Sequence, residues 1–231
     1  MNSRSVIWQF LVVVSLVLSL IFFSFTTCGE EDSNGMHRRG EAGMAFFELN
    51  DLNDRLVDQG YEKFSGSMFL SGASAFYEVS PDVRLGGAGY RGSSSNSFEN
   101  GNGKFSFNFV GLLFESGLSV TDSLTLMVGS VAGMGSVNLR ITESIPGSFE
   151  EALTDTPKRH KVGKTFYGIQ PVMSVEIGIS KKFALRANLG YLWGFGDRWN
   201  LDGKKFPGPL NQLKAPTITF SAHFGGNGNE K

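Results

Sequence analysis

The chain reads as an all-β protein, an antiparallel up-and-down β-barrel of about eight strands with one short helix near the N-terminus. Three observations predict it. Long runs alternate apolar residues with small or polar ones at the two-residue period of a strand. Short polar breaks separate these runs in pairs, at Ser80-Pro81-Asp82, Thr121-Asp122-Ser123 and Ser180-Lys181-Lys182. The composition joins 30 Gly to 21 Phe with only 7 Pro among 231 residues. A flexible Gly-rich linker lacks such aromatics, so these glycines are expected to pack inside sheets.

The hairpin around Lys181 and Lys182 carries the clearest register. A three-residue loop there sets Ile179 against Phe183 and Ile177 against Leu185, then Val175 against Ala187 and Met173 against Leu189. Pro171 then meets Tyr191, Ile169 meets Trp193 and Tyr167 meets Phe195, so one face is apolar throughout. The other face holds Gly, Ser, Ala and few charges, with Glu176 directly across from Arg186. A slip of one residue would exchange the two faces, which specifies the register strongly. The same arithmetic places Val79 opposite Val83, Glu78 opposite Arg84 and Tyr77 opposite Leu85 at the first turn. At the second it places Val120 opposite Leu124, Leu118 opposite Leu126 and Glu115 opposite Gly129. Phe105, Phe107 and Phe109 lie on the other face from Leu112 and Phe114, which predicts a bulge near Gly111.

Upstream, Arg4 precedes an apolar run from Val6 to Phe25, followed by small residues and Cys28. This is an export pattern, so residues 1–28 are expected to be a signal peptide or an N-terminal anchor. Cys28 is the candidate for lipidation. As the single cysteine, it excludes a disulfide framework and a cysteine-based metal site. Residues 29–42 read as a disordered polar leader, 43–226 as the barrel domain and 227–231 as a disordered tail. The hairpin strands and the run Ala215 to Phe224 supply seven strands, and Gly43 to Leu49 is the candidate eighth. A helix from Asp51 to Gln59 should follow, with Asn50 as its N-cap, Leu52 and Leu56 on one face and Gly60 as its stop.

Longer polar connections are expected at Ser95 to Gly103, Thr142 to Lys164 and Asp197 to Lys214. Short turns alternating with long loops form the pattern of an outer-membrane barrel. Strands of about 13 residues on either side of the Lys181 turn, tilted near 45°, rise about 30 Å, enough to cross an apolar band of about 25 Å. Tyr167, Tyr191, Trp193 and Phe195 gather at the end away from the turn, as in an interfacial girdle. A soluble exported barrel, a lipoprotein if Cys28 is acylated, fits the same alternation, with an apolar ligand held between sheet and helix.

The segment TITFSAHF resembles the terminal strand of bacterial outer-membrane barrels, which ends in Phe after alternating hydrophobics; here GGNGNEK follows Phe224. The region from Ala45 to Gly226 is also similar to a Gly-rich family of uncharacterised prokaryotic proteins of unassigned function. The shared marks are NDRLVDQGY, VRLGGAGYRGSS, SFEEALTDTP, and Trp199, Leu201, Gly203, Gly208-Pro209 and Phe224-Gly225-Gly226. This resemblance implies the fold and no activity.

For chemistry the pattern is sparse. The formal net charge is −1 with scattered Lys and Arg, which argues against a nucleic-acid partner. His37 falls in the leader, His160 in the cluster KRHK of the longest loop, and His223 on the inward face of the last strand with Thr219 and Ser221. No catalytic order, metal-ligand spacing or cofactor motif is recognisable, and Gly86-Gly87-Ala88-Gly89 sits mid-strand instead of opening a helix. An enzyme acting on lipid at a membrane surface, through His160 or His223, ranks behind both barrel readings. Glu78, Arg84, Glu115, Glu176 and Arg186 form the best polar constellation, read as an ion-pair network that fills the lumen of a small barrel. The expected partners are the lipid bilayer and an external partner met through loops 142–164 and 197–214, with the cell envelope, above all the outer membrane, as location.

Overall fold

In the computed structural model, residues 35–80, 82–98, 101–143, 159–180, 183–196, 198–201 and 203–224 are described. The expected signal peptide or anchor with Cys28, the segment 144–158 and the expected tail 227–231 lie outside them. In chain order the elements are β1 (Met36–Phe46), α1 (Asn50–Asp58), β2 (Ser67–Ser80), β3 (Val83–Phe98), β4 (Gly101–Ser119) and β5 (Leu124–Glu143). They continue as β6 (Arg159–Ser180), β7 (Phe183–Phe195), the short β8 (Arg198–Leu201) and β9 (Lys204–Pro207), and β10 (Gln212–Phe224). Strands β1 to β7 pair in sequence, all antiparallel; β10 pairs with β7 and β1 and closes an eight-stranded barrel. The hairpin β8–β9 hangs on β6 through Gly163 and Asn200.

The hairpin registers follow the alternation, with a correction at two turns. Glu78 meets Arg84, Glu176 meets Arg186, Tyr167 meets Phe195 and Glu115 meets Gly129. At the turns themselves, Ser80 pairs with Val83 and Ser180 with Phe183, where Val79 and Ile179 were expected. Each strand shifts register just before its turn, so a tighter connection is made and the extra residue becomes a bulge. The turn at Thr121 keeps its three residues: Val120 N–H donates to Leu124 O at 2.9 Å, and Thr121 Oγ1 accepts from Leu124 N at 3.1 Å.

Four other expectations are corrected. The barrel begins at Met36, so residues 36–42 of the supposed leader are strand. Their inward residues are charged and their outward ones include Gly40 and Ala42, a pattern that mimics a solvated coil. Second, β4 has no bulge near Gly111: its pairing with β5 runs unbroken from Gly101 to Ser119. Phe105, Phe107, Phe109 and Glu115 all face inward, because the lumen itself becomes apolar in its upper half. Third, the described parts of the expected long connections are strand. Strand β3 reaches Phe98 and β4 starts at Gly101, β5 reaches Glu143, β6 starts at Arg159, and residues 197–214 contain β8, β9 and the start of β10. Fourth, the helix starts one residue early: Leu49, which has no side-chain acceptor, holds the N-cap position and is buried in the core. The stop is as expected: Gly60 has φ +82°, and the Gly60 and Tyr61 amides close onto Val57 and Leu56 carbonyls at 2.9 Å.

A cross-strand row of small inward residues, Ser74, Ala88, Gly111, Gly133, Gly168 and Gly194, runs around six strands. A Cβ at Gly133 would lie 2.0 Å from Val110 O, so no larger residue fits that close approach. One rung up, Gly135 makes room for the Phe166 ring, which stacks on Phe109 at 6.0 Å.

Candidate functional site

The barrel interior has two layers. The lower one, at the end with the short turns and both barrel termini, is polar. Arg39, Glu41, Arg84, Glu115, Glu176, Arg186, Asn188 and His223 are all buried there. The upper one is an apolar plug of Phe47, Phe64, Phe105, Phe107, Phe109 and Phe166, joined by Leu52 and Leu56 of α1, Trp199 and Leu210.

The five residues singled out from sequence come together in the lower layer, in a pattern that pairwise register could not foresee. Glu176 and Arg186 are cross-strand neighbours, yet their charged atoms are 3.9 Å apart. Each bonds across the lumen instead. Arg84 makes a two-pronged contact with Glu176 at 2.9 and 3.0 Å, and also reaches Glu78 at 3.1 Å. Arg186 does the same with Glu115, and donates to Ser174 and Asn188. In a barrel this narrow, opposite walls are within side-chain reach.

Sequence reasoning missed the third arginine. Arg39, from the supposed leader, donates to Glu115 Oε2 at 3.1 Å, so Glu115 is shared between two guanidinium groups. Its guanidinium also lies 4.5 Å from the centre of the Phe76 ring, with Arg84 5.0 Å from it. Glu41, equally missed, accepts from Ser74 at 2.8 Å and from Tyr90 at 3.1 Å. The signal was present as His37, Arg39 and Glu41 at alternate positions, but only the pairing of β1 with β2 and β10 turns that alternation inward. His37 stacks on Phe76 at 5.3 Å and meets His223 at 3.2 Å, while His160 is exposed on β6 opposite Ile141. The two inner histidines therefore form part of the packing at the lower mouth, far along the strand from His160. Among the described residues no three metal-ligating side chains converge.

At the upper mouth, side chains tie the covering segments to the wall. Asn53 of α1 clasps the returning chain through both polar atoms of Phe64, at 2.9 and 3.0 Å. Opposite, Trp199 donates to Pro209 O at 2.7 Å and Lys164 to Leu210 O at 2.6 Å, fixing the segment that lays Leu210 over the plug. Leu210 has φ +63°, a conformation that a branched side chain adopts only when its surroundings hold it there. A void between the layers, lined by Phe47, Tyr90, Phe109 and Gln170, amounts to about 10 Å³, no more than one water needs. Leu52 and Leu56 of the helix are buried in one cluster with the phenylalanines of the wall.

The outer surface divides in the other sense. Below, Leu85, Leu112, Phe114, Leu118, Val128, Met173, Ile177, Leu189, Ile218 and Phe220 face outward from the barrel strands, with Leu112 78% and Met173 68% exposed. Tyr167, Trp193 and Phe195 border this belt. Above it the outward positions of β3, β4 and β5 turn to Ser93, Ser95, Ser106, Asn108 and Asn138.

No family model and no curated protein matches the chain. Among solved structures, it is similar to the Neisserial surface protein A at 12% identity, over 83% of this chain and 97% of that one, with a TM-score of 0.47. The attachment invasion locus protein Ail of Yersinia pestis is 15% identical over 82% of this chain and 97% of its own, with a TM-score of 0.41. The N-terminal β-barrel domain of Pseudomonas aeruginosa OprF is 14% identical over 82% and 98%, with a TM-score of 0.37. The likeness is one of fold alone.

Proposed function

We propose that the chain is a non-enzymatic outer-membrane β-barrel with a structural or interaction role, embedded in lipid through its lower half and presenting its upper wall and connections to the exterior. The observation that carries this reading is the continuous apolar outer belt around a barrel whose lumen is already filled by its own ion pairs. A soluble barrel buries its apolar face; here a belt of large apolar side chains, among them Leu112, Leu118, Met173 and Leu189, faces outward. The strand lengths agree. Strands β4, β5 and β6 have 19, 20 and 22 residues. At about 3.3 Å per residue and a tilt near 45°, such strands rise about 45 Å, well beyond an apolar band of about 25 Å.

The lumen network is read as structural: Arg39, Arg84 and Arg186 are spent on Glu115 and Glu176 across the lumen. The ion pairs and the apolar plug occupy the lumen, which supports a scaffold role for the interior. The interaction surfaces are then the upper exterior and the segments 142–164 and 197–214, borne on a rigid scaffold. Cell fractionation with heat-modifiability on gels tests the reading. The chain should sediment with outer membranes and migrate as a compact band until boiled. A monodisperse protein in detergent-free buffer, with the belt protected from hydrophobic probes, would refute it.

A further inference from the structure

Above the apolar belt, the outer face of β4, β5 and β6 carries an arrangement that a sheet avoids. Lys104 is paired in register with Arg140, and Arg140 with Lys161. All three are exposed and point outward, three like charges on adjacent strands. Like charges directly opposite each other destabilise a sheet. Among the described residues the outward positions here offer no carboxylate: Ser95, Asn102, Ser106, Asn108, Ser136 and Asn138 surround the row. Between β6 and the β8–β9 hairpin the basic surface deepens into a recess of about 490 Å³, where Lys161 and Lys205 face Asn138 and Asn200.

Directly beside it the wall is hollow in a different way. A shallow, mostly apolar groove of about 760 Å³ runs over the small outward residues Ala73 and Gly89, flanked by Val110 and Met134 and topped by Arg91. Ser136 and Thr165 line both the groove and the basic recess, so the two are continuous. One end of this surface suits hydrocarbon and the other suits anionic oxygens, and their junction lies where the belt ends.

We propose that the outer wall of β2 to β6 binds a phosphorylated membrane lipid, with an acyl chain along the groove over Ala73 and Gly89 and the phosphate in the basic recess of Lys161 and Lys205 beside Arg140. This rests on the membrane reading above. A phosphate offers several strong acceptor oxygens, enough to satisfy two or three cations together and relieve their mutual repulsion. A peptide carboxylate would satisfy the cations but leave the groove unused.

The test places the purified full chain in zwitterionic phosphatidylcholine vesicles containing one-fifth phosphatidylglycerol, and measures by native mass spectrometry which lipid stays bound. Proteins compared are the wild type, the triple variant Arg140→Gln/Lys161→Gln/Lys205→Gln, the groove-filling Gly89→Leu, and a control Arg55→Gln/Lys63→Gln on the helical cap. A Cβ at Gly89 meets nothing closer than 3.7 Å, so the added side chain leaves the backbone without a clash. The wild type and control should retain phosphatidylglycerol about tenfold over phosphatidylcholine at low salt, at roughly a few-fold per cation near an anionic headgroup. The preference should fall with ionic strength. The triple variant should lose it, and Gly89→Leu should lose retention of both lipids. Equal retention by all four proteins overturns the proposal while insertion, read from heat-modifiability, leaves the membrane reading standing. Failure of every variant to insert sinks both. Capture of a soluble sulfated polysaccharide by the same cations, with no lipid preference, assigns the patch to an external polyanion and overturns it equally.

Discussion

Replacing Glu115 by Gln keeps the shape of the side chain and removes the charge that holds the lower lumen together. Glu115 receives Arg39 at 3.1 Å and Arg186 on both its oxygens, with side chains only 2–3% exposed in all three residues. The substitution would leave two buried guanidinium groups facing a neutral amide, with Glu41 held by Ser74 and Tyr90 and Glu176 by Arg84. Breaking a buried ion pair by removing one partner costs about 3–5 kcal/mol, and here one carboxylate serves two cations, so the upper part of that range is expected. Urea unfolding of the chain folded into vesicles, followed by tryptophan fluorescence and the loss of the compact gel band, measures it. A double-mutant cycle with Arg186→Gln sharpens the test: the two losses should fall short of adding by about 2–3 kcal/mol, because each removes the same contact. A loss under about 1 kcal/mol for Glu115→Gln, or strict additivity, would refute the reasoning that this network holds the walls together.

Glu78→Gln is the graded comparison: its side chain is 28% exposed and Arg84 keeps Glu176, so the same unfolding assay should show less than about 1 kcal/mol. Gly133→Ala forces a methyl within 2.0 Å of Val110 O, and should cost about 2–3 kcal/mol in unfolding free energy. Leu52→Ala removes a fully buried cap contact and should raise hydrogen exchange across residues 49–64, while the amides of β4 to β6 stay protected. Leu112→Arg puts a charge on the most outward part of the belt; it should cost about 2–4 kcal/mol in vesicles, whereas a water-facing Leu112 would make it neutral.

Much of this protein is visible in its sequence because strand periodicity is local. The register of Tyr167 to Ile177 against Leu185 to Phe195 needs only alternation and a turn, and so do the pairs Glu78–Arg84 and Glu115–Gly129. Which side of a strand is apolar is likewise read from neighbours two residues apart, as for Met173 and Ile177. What alternation cannot reveal is what lies across the lumen. Glu176 was legible as the neighbour of Arg186, but its bond to Arg84 joins residues 92 positions apart and exists only once the wall closes.

The same limit explains the remaining errors. Residues 36–42 look like a coil because their apolar content is low; closure turns Arg39 and Glu41 toward carboxylate and hydroxyl partners from other strands. Phe105, Phe107 and Phe109 look misplaced beside Leu112 and Phe114 if a strand has one greasy face, and their place inward follows from a plug that α1, Trp199 and Leu210 complete from distant parts of the chain. The sequence by itself determined the middle of most strands, their pairing across turns to within one residue and the outward belt, since those depend on interactions a few residues long. Only the tertiary structure decided that the barrel is full and capped, because that depends on how far a side chain reaches across a closed ring of eight strands.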